Sequence, residues 1–363
     1  MLNRLKNVAK TLLAVTWIRR VYEASNRAVL ETFGSSRILT HALYFFSFLT
    51  FNREQAAVLR GRRDYYRNKR SLRRPTHVEL RRNIHRLEKG LTMVPRRPVF
   101  ALDYIAETVE FYERAHAQRS VDSDSMDAAE IRWAHDVLRT YFAAITGEHP
   151  TIAALRDRFQ KLSPLGGDGP ALVPFERRNS VDSDVTFDQL YALALRRRSV
   201  RWFEQVPVER EKIDAALMVG RQSPTACNRL PYEYRIFDDP DMVRQISGIP
   251  FGSAGYSHNI PVIAVVVGKL ESYFSPRDRH AIYIDASLSA MAFMLALETQ
   301  GVSSSVINWP DFEPLERKMQ KTLHLSMTDR VIMLIAIGYA DPDGLIPRSP
   351  KKELSTIRNY NRL

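Results

Sequence analysis

Arg197-Arg198-Ser199-Val200-Arg201, succeeded downstream by Ser223-Pro224-Thr225-Ala226-Cys227-Asn228-Arg229-Leu230-Pro231-Tyr232, decides how the second half of this 363-residue chain is read. Guanidiniums present planar forks of N–H donors, and a serine among them adds a hydroxyl. That is the donor set a phosphate ester requires. The pattern of 190–198 predicts a helix, so Arg197 and Arg201, four residues apart, share one face able to hold a dianion. Taken alone, the triplet Arg196 to Arg198 equally describes a solvated helix end. The order of the next elements favours the phosphate: Val206-Pro207-Val208, a short helical pattern over 209–221, the Ser-Pro-Thr-Ala-Cys-Asn loop, and an alternating run from Tyr232 to Phe237.

Further on, a strand-like run occupies 260–267, a long apolar helix 283–299, and two more strands 304–308 and 331–337. From about 188 to 355 this order resembles the nitroreductase family. The resemblance implies an α+β fold, a mixed sheet flanked by helices, preceded here by a mostly helical N-terminal region. It also implies FMN as cofactor, NADH or NADPH as electron donor, ping-pong transfer of two electrons to a small organic acceptor, and a homodimer. By the same resemblance Arg197, Ser199 and Arg201 grip the FMN phosphate, and Arg198 either assists or faces solvent. Arg348 and Lys351, in Pro347-Arg348-Ser349-Pro350-Lys351, return basic groups to that phosphate. Pro224 and Thr225 lie at the flavin ring of the neighbouring subunit, with Asn228 in polar contact. Ser305-Val306-Ile307-Asn308-Trp309 matches the place where the family presents a backbone N–H to flavin N5, with Ile307 and Asn308 the residues concerned. Since the cofactor carries the hydride chemistry, no catalytic side chain and no metal are expected. No Ser-His-Asp set, metal cluster or Gly-rich dinucleotide fingerprint stands out in the sequence.

Two departures bear on substrate and nicotinamide preference. The family's Asn-x-Gln-Pro-Trp reads Asn228-Arg229-Leu230-Pro231-Tyr232, and the domain leaves little room for a substrate-covering insertion. Cys227, beside the expected flavin, reads first as a small buried hydrophobe. Ile84-His85-Arg86-Leu87-Glu88-Lys89-Gly90-Leu91 resembles segments of nitroreductase-like proteins linked to surface-polysaccharide loci. A rival reading from another class is therefore a non-enzymatic adaptor in polysaccharide assembly, the flavin fold serving as scaffold.

Length and an apolar fraction of 45% predict two domains: a helical basic region over 1–165 and the flavin domain over 186–363, joined by a linker at about 163–185. Ser163-Pro164-Leu165-Gly166-Gly167-Asp168-Gly169-Pro170 is the clearest linker signal. The net charge of +12 is uneven, with 22 Lys plus Arg against 6 Asp plus Glu in residues 1–100 and 31 against 35 thereafter. Such asymmetry points to an anionic partner for the first segment. Nucleic acid is a weaker candidate, because no recognised module supports it. The single cysteine gives no sign of an oxidising compartment, and no secretory signal or membrane-spanning helix is read, so the expectation is a cytoplasmic protein, peripheral on a membrane if attached at all.

Leu2, Leu5, Val8, Leu12, Leu13 and Val15 recur at helical spacing among Lys and Arg, and an aromatic stretch from Leu43 to Phe48 comes after them. That combination suits an anionic membrane surface as well as it suits a protein core. Residues 80–91 predict a helix with Gly90 at its C-terminal cap. His85 and Glu88, three apart on it, read as structural rather than as an acid–base set. Helices are also expected over 101–118, 125–145 and 151–162. Ser-Val-Asp-Ser-Asp, at 120–124 and again at 180–184, would introduce helices, with Asp122 and Asp124 as capping candidates. Ala286, Ser289, Ala290 and Ala296 are small enough for close helix packing, within the chain or across a dimer.

Overall fold

A computed structural model describes residues 15–47, 49–68, 78–118, 128–162 and 169–361. The apolar positions from Leu2 to Leu13, the capping candidates Asp122 and Asp124, and the linker stretch 163–168 lie outside the described residues. Two compact units emerge, one of residues 1–57 with 311–313, the other of 58–310 and 314–363.

In the first unit, α1 (Thr16–Gly34) and α2 (Arg37–Ser47) precede the start of α3 (Leu49–Asn68). None of the α1 residues is buried. Arg53 pairs with Glu313 at 3.1 Å.

The second unit contains two apolar cores. The helical core is built from α4 (Val78–Leu91), α5 (Ile105–Gln118), α6 (Ala128–Ala144) and α7 (Pro150–Gln160). Leu80, Ile84, Leu87 and Leu91, spaced by three or four, form one stripe of α4 that packs with Val109, Tyr112, Leu138 and Tyr141. Each such side chain stabilises by about 1.5–3 kcal/mol on burial. Gly90 lies inside α4 rather than capping it. A Cβ there would stand 2.3 Å from Phe100 Cε2, so its role is to let that ring approach the helix. His85 Nδ1 lies 3.4 Å from Glu88, whose other oxygen accepts from Trp133 Nε1 at 2.9 Å, so the carboxylate ties α4 to α6.

The region of the expected linker, where described, is fastened to α6. Arg132 donates to the carbonyls of Gly169 and Pro170 at 2.8 and 3.0 Å, and the Leu172 N–H to Asp136 Oδ2 at 2.9 Å. The helix after it, α8 (Phe187–Arg196), begins at a capping box in which Thr186 and Gln189 satisfy each other's backbone N–H. The cap is therefore Thr186, not the aspartates of the repeated pentapeptide.

The sheet core keeps the predicted order. After α9 (Arg210–Gly220) come β1 (Tyr232–Phe237), α10 (Pro240–Ser247), β2 (Val262–Lys269), α11 (Ala281–Thr299), β3 (Ser303–Asn308), α12 (Glu313–Leu323), β4 (Asp329–Gly338) and the short α13 (Leu354–Ile357). The strands pair antiparallel in the order β1-β2-β4-β3, and a parallel bridge from Ser199 to Ser304 makes the sheet mixed at its β3 edge. Central β2 and β4 are buried nearly throughout, which is why both read as continuous apolar runs. Ile263, Val265 and Val267 share one cluster with Val243 and Ile246 of α10 and Met319 and Leu323 of α12. On α11, Ala286, Ser289 and Ala290 are buried within the chain, and Ser289 lies against Gly220 of α9. By length and composition Pro276–Thr299 could cross a bilayer, yet half of its most apolar window is buried in this fold.

Candidate functional site

The segment after α8 is extended, not helical. Arg197 closes the helix with φ −61° and ψ 112°, and the Val200 N–H donates to the Ser304 carbonyl of β3 at 3.1 Å. The expected helical face shared by Arg197 and Arg201 is thus corrected: both belong to a strand-like segment lying along β3. Pairing with an edge strand wins there because it satisfies backbone groups that β4 leaves open. The same segment then joins the exit of β4, through a Phe203–Ala340 bridge and the Asp341 N–H donating to Trp202 O at 3.0 Å. Arg198 donates to the Pro347 carbonyl at 2.8 Å, which brings Arg348 next to it in the chain. Residues 197–201, 304–308 and 347–348 therefore converge at one sheet edge. Lys351, three residues on, is exposed.

The charge balance at this edge is one-sided. Arg196 takes the available carboxylate, Glu298, at 3.1 Å. Burial raises the Glu298 carboxyl above its ordinary range, while Arg196 and Arg197 oppose the shift. Among the described residues no carboxylate pairs with Arg197, Arg198, Arg201, Arg348 or Lys351. Arg197 Nε is buried with no acceptor, and the hydroxyls of Ser304 and Ser305 are buried without a partner. Arg201 meets only the Ser199 carbonyl at 3.5 Å and the Tyr256 ring at 5.7 Å. Buried donors of this kind are costly unless a ligand accepts from them. Guanidiniums without an ion pair beside hydroxyls without a partner have the chemistry to hold a phosphate and a polyol such as those of FMN. Ile307 is buried in the sheet core and Asn308 is exposed at the end of β3.

The loop 224–230 is held elsewhere. Cys227, Asn228 and Leu230 are left-handed, with φ of 56°, 53° and 48°. Such strain in non-glycine residues persists only where surrounding contacts impose it. Here Asp285 of α11 accepts from the Ala226 N–H at 2.9 Å and from Tyr273 Oη at 3.1 Å, and Thr225 Oγ1 accepts from the Leu230 N–H at 3.2 Å. Burial raises the Asp285 carboxyl above its ordinary range despite these two bonds. Arg229, itself buried, stacks on Tyr273 at 4.8 Å. From the helical core, Arg81 of α4 donates to the Asn228 carbonyl and pairs with Glu130. Cys227 is half-buried rather than buried, corrected by its position in this strained turn. Pro224 is exposed, and Thr225 and Asn228 are half-buried. No described contact joins this loop to Arg197–Arg201 within one chain.

Sequence reading missed the loop's anchors. Asp285, an isolated carboxylate in the apolar stretch from Ile282 to Leu297, carried a detectable signal. Arg81 carried none, because its partner lies 147 residues away.

Residues 194–254 and 251–339 match the model of the Nitroreductase family. Among relatives, a Streptomyces coelicolor protein named as an NADH dehydrogenase/NAD(P)H nitroreductase is 22% identical over 174 residues, 42% of this chain and 86% of that protein. An iodotyrosine deiodinase of Thermotoga neapolitana is 24% identical over 47% of this chain and 97% of its own length. The solved structure of an FMN-dependent nitroreductase from Clostridium difficile R20291 is 21% identical, covering 48% of this chain and 99% of its own, with a TM-score of 0.41. Residues 194–339 thus resemble the Nitroreductase family, and the chain is a nitroreductase-like oxidoreductase.

Proposed function

We propose that the chain is an FMN-dependent oxidoreductase that takes two electrons from a reduced nicotinamide and passes them, in a ping-pong sequence, to a small organic acceptor. The observation that carries this reading is the group of cations at 197, 198, 201 and 348 that forms no ion pair among the described residues and borders the β3 edge. Bound FMN supplies reversible two-electron chemistry at its ring. The chain's own part is to hold and orient it. Arg197 and Arg201 would neutralise its phosphate, Ser199 would add a hydroxyl, and the β3 backbone near Ile307 and Asn308 would supply an N–H to the ring. The Streptomyces coelicolor relative, named for NAD(P)H nitroreductase activity, supports a nicotinamide as donor.

A homodimer suits the separation of the 224–230 loop from the phosphate-binding edge, since the loop of one subunit would then serve the flavin of the other. Exposed Ile284, Leu288 and Met291 form an i, i+4, i+7 stripe on α11, and Phe187, Leu190, Tyr191 and Leu195 give α8 a second exposed apolar face. Faces of this size are the usual material of subunit contacts.

The absorbance spectrum of the purified protein, coupled with anaerobic titration with NADH and with NADPH, tests the reading. A flavin spectrum bleached by one of them is expected. Colourless protein without affinity for added FMN would return the chain to the scaffold reading, including one in polysaccharide assembly at the membrane.

A further inference from the structure

The structure assigns the N-terminal helices α1 and α2 to the surface of an anionic lipid bilayer, as an interfacial rather than a spanning attachment. On α1, Trp17, Ile18, Val21, Tyr22, Ala24, Ala28 and Val29 fall within one arc at helical spacing, and Arg19, Arg20, Glu23, Asn26, Arg27 and Glu31 share the other with Leu30 alone among the large apolar residues. A helix of this pattern normally buries its apolar arc, yet here no residue of α1 is buried and Trp17 is 67% exposed. The pattern continues on α2, where Ile38, Phe45 and Phe46 are 80, 68 and 84% exposed. Phe45 and Phe46 stand edge to face at 5.0 Å, beside a groove lined also by His41, Tyr44, Phe51 and Asn52.

Charge selects the occupant. Residues 1–57 hold eight Lys plus Arg against three acidic residues. Glu23 is taken by Arg19 at 2.9 Å, while Arg20, Arg27 and Arg37 meet no carboxylate among the described residues. A second copy of this face would bring the same cations together, and like charges in contact repel. Headgroups bearing phosphate supply the opposite sign, and acyl chains the apolar phase. Trp and Tyr at the border between polar and apolar arcs are the residues most at ease at that interface.

The test is vesicle flotation with the full chain. Phosphatidylcholine vesicles are compared with vesicles containing about one third phosphatidylglycerol, where surface charge should raise recovery about tenfold. Two double variants accompany the unaltered protein, Phe45→Glu with Phe46→Glu and Arg20→Glu with Arg27→Glu. All four positions are exposed, so circular dichroism should be unchanged. Flotation with the anionic vesicles only, reduced about tenfold in both variants and weakened by added salt, is the expected result. No flotation of the unaltered protein, or equal flotation of the Phe45→Glu, Phe46→Glu variant, would overturn the assignment. So would sedimentation showing an oligomer that this variant dissolves, since the face would then close on a second copy.

Discussion

Two groups of arginines, similar in sequence, differ in what they meet. On α4, Arg81 reaches Glu130 and the Asn228 carbonyl, Arg82 reaches Glu79 at 2.7 Å and covers the Phe274 ring, and Arg86 reaches Asp103 at 3.0 Å with its guanidinium 3.5 Å above Tyr104. At the β3 edge, Arg197, Arg198, Arg201 and Arg348 pair with no carboxylate among the described residues; Arg198 and Arg201 meet carbonyls, and Arg201 a ring. The first group uses its charge inside the fold, joining the helical core to the flavin domain. The second forms no ion pair among the described residues. Density of arginine in a sequence does not distinguish these uses; the sign of the neighbouring group does.

The largest effect should come from emptying the second group. Arg197→Ala with Arg201→Ala removes two charge-assisted donors, each worth about 1.5–3 kcal/mol, and FMN affinity measured by fluorescence quenching should fall at least about a hundredfold. Thermal unfolding monitored through the helical core should be unchanged. Equal FMN affinity in this variant would erase the contrast between the groups.

Arg81→Ala should act in the opposite sense, costing about 1–3 kcal/mol in urea unfolding because Glu130 and the Asn228 carbonyl lose their donor. Its influence on FMN should be secondary, transmitted through the 224–230 loop. Gly90→Ala, which forces a methyl into the Phe100 ring, should cost about 1–3 kcal/mol by overpacking and leave FMN binding intact. A neutral Gly90→Ala would mean that Phe100 can withdraw.

The helical core should also report pH. Burial lowers the pKa of His135 below its ordinary 6.5, against the opposing charge of Asp136, and its Nδ1 lies 2.8 Å from Tyr112 Oη. The unfolded chain then binds the proton first as pH falls. Stability is full above about 6.5 and declines below it, by at most about 1.4 kcal/mol per pH unit. Urea midpoints at stepped pH should show this decline, and His135→Gln should flatten it. Smallest of all, Arg348→Ala should weaken FMN binding less than about tenfold, because an exposed charge is screened by water.

Much of the fold was legible from local pattern. Strand β1 matches its alternating run residue for residue, and the central strands arise from apolar runs that only a buried element tolerates. The cation-rich β3 edge was legible in part: residue types at 197–201 and 348 were read as a basic cluster, but the expected helical face gave way to pairing with β3. Gly90 was read as a cap because glycine suits one, whereas packing against Phe100 is what requires it.

By itself, the sequence determined the helices and strands from about residue 80 onward and the basic clusters, because periodicity and side-chain chemistry act over a few neighbouring residues. Only the tertiary structure decided which cations are neutralised, that Asp285 and Arg81 hold a strained loop, and that the apolar arc of α1 is left open. Those outcomes depend on groups up to 147 residues apart, whose meeting is set by how the elements pack and not by any spacing along the chain.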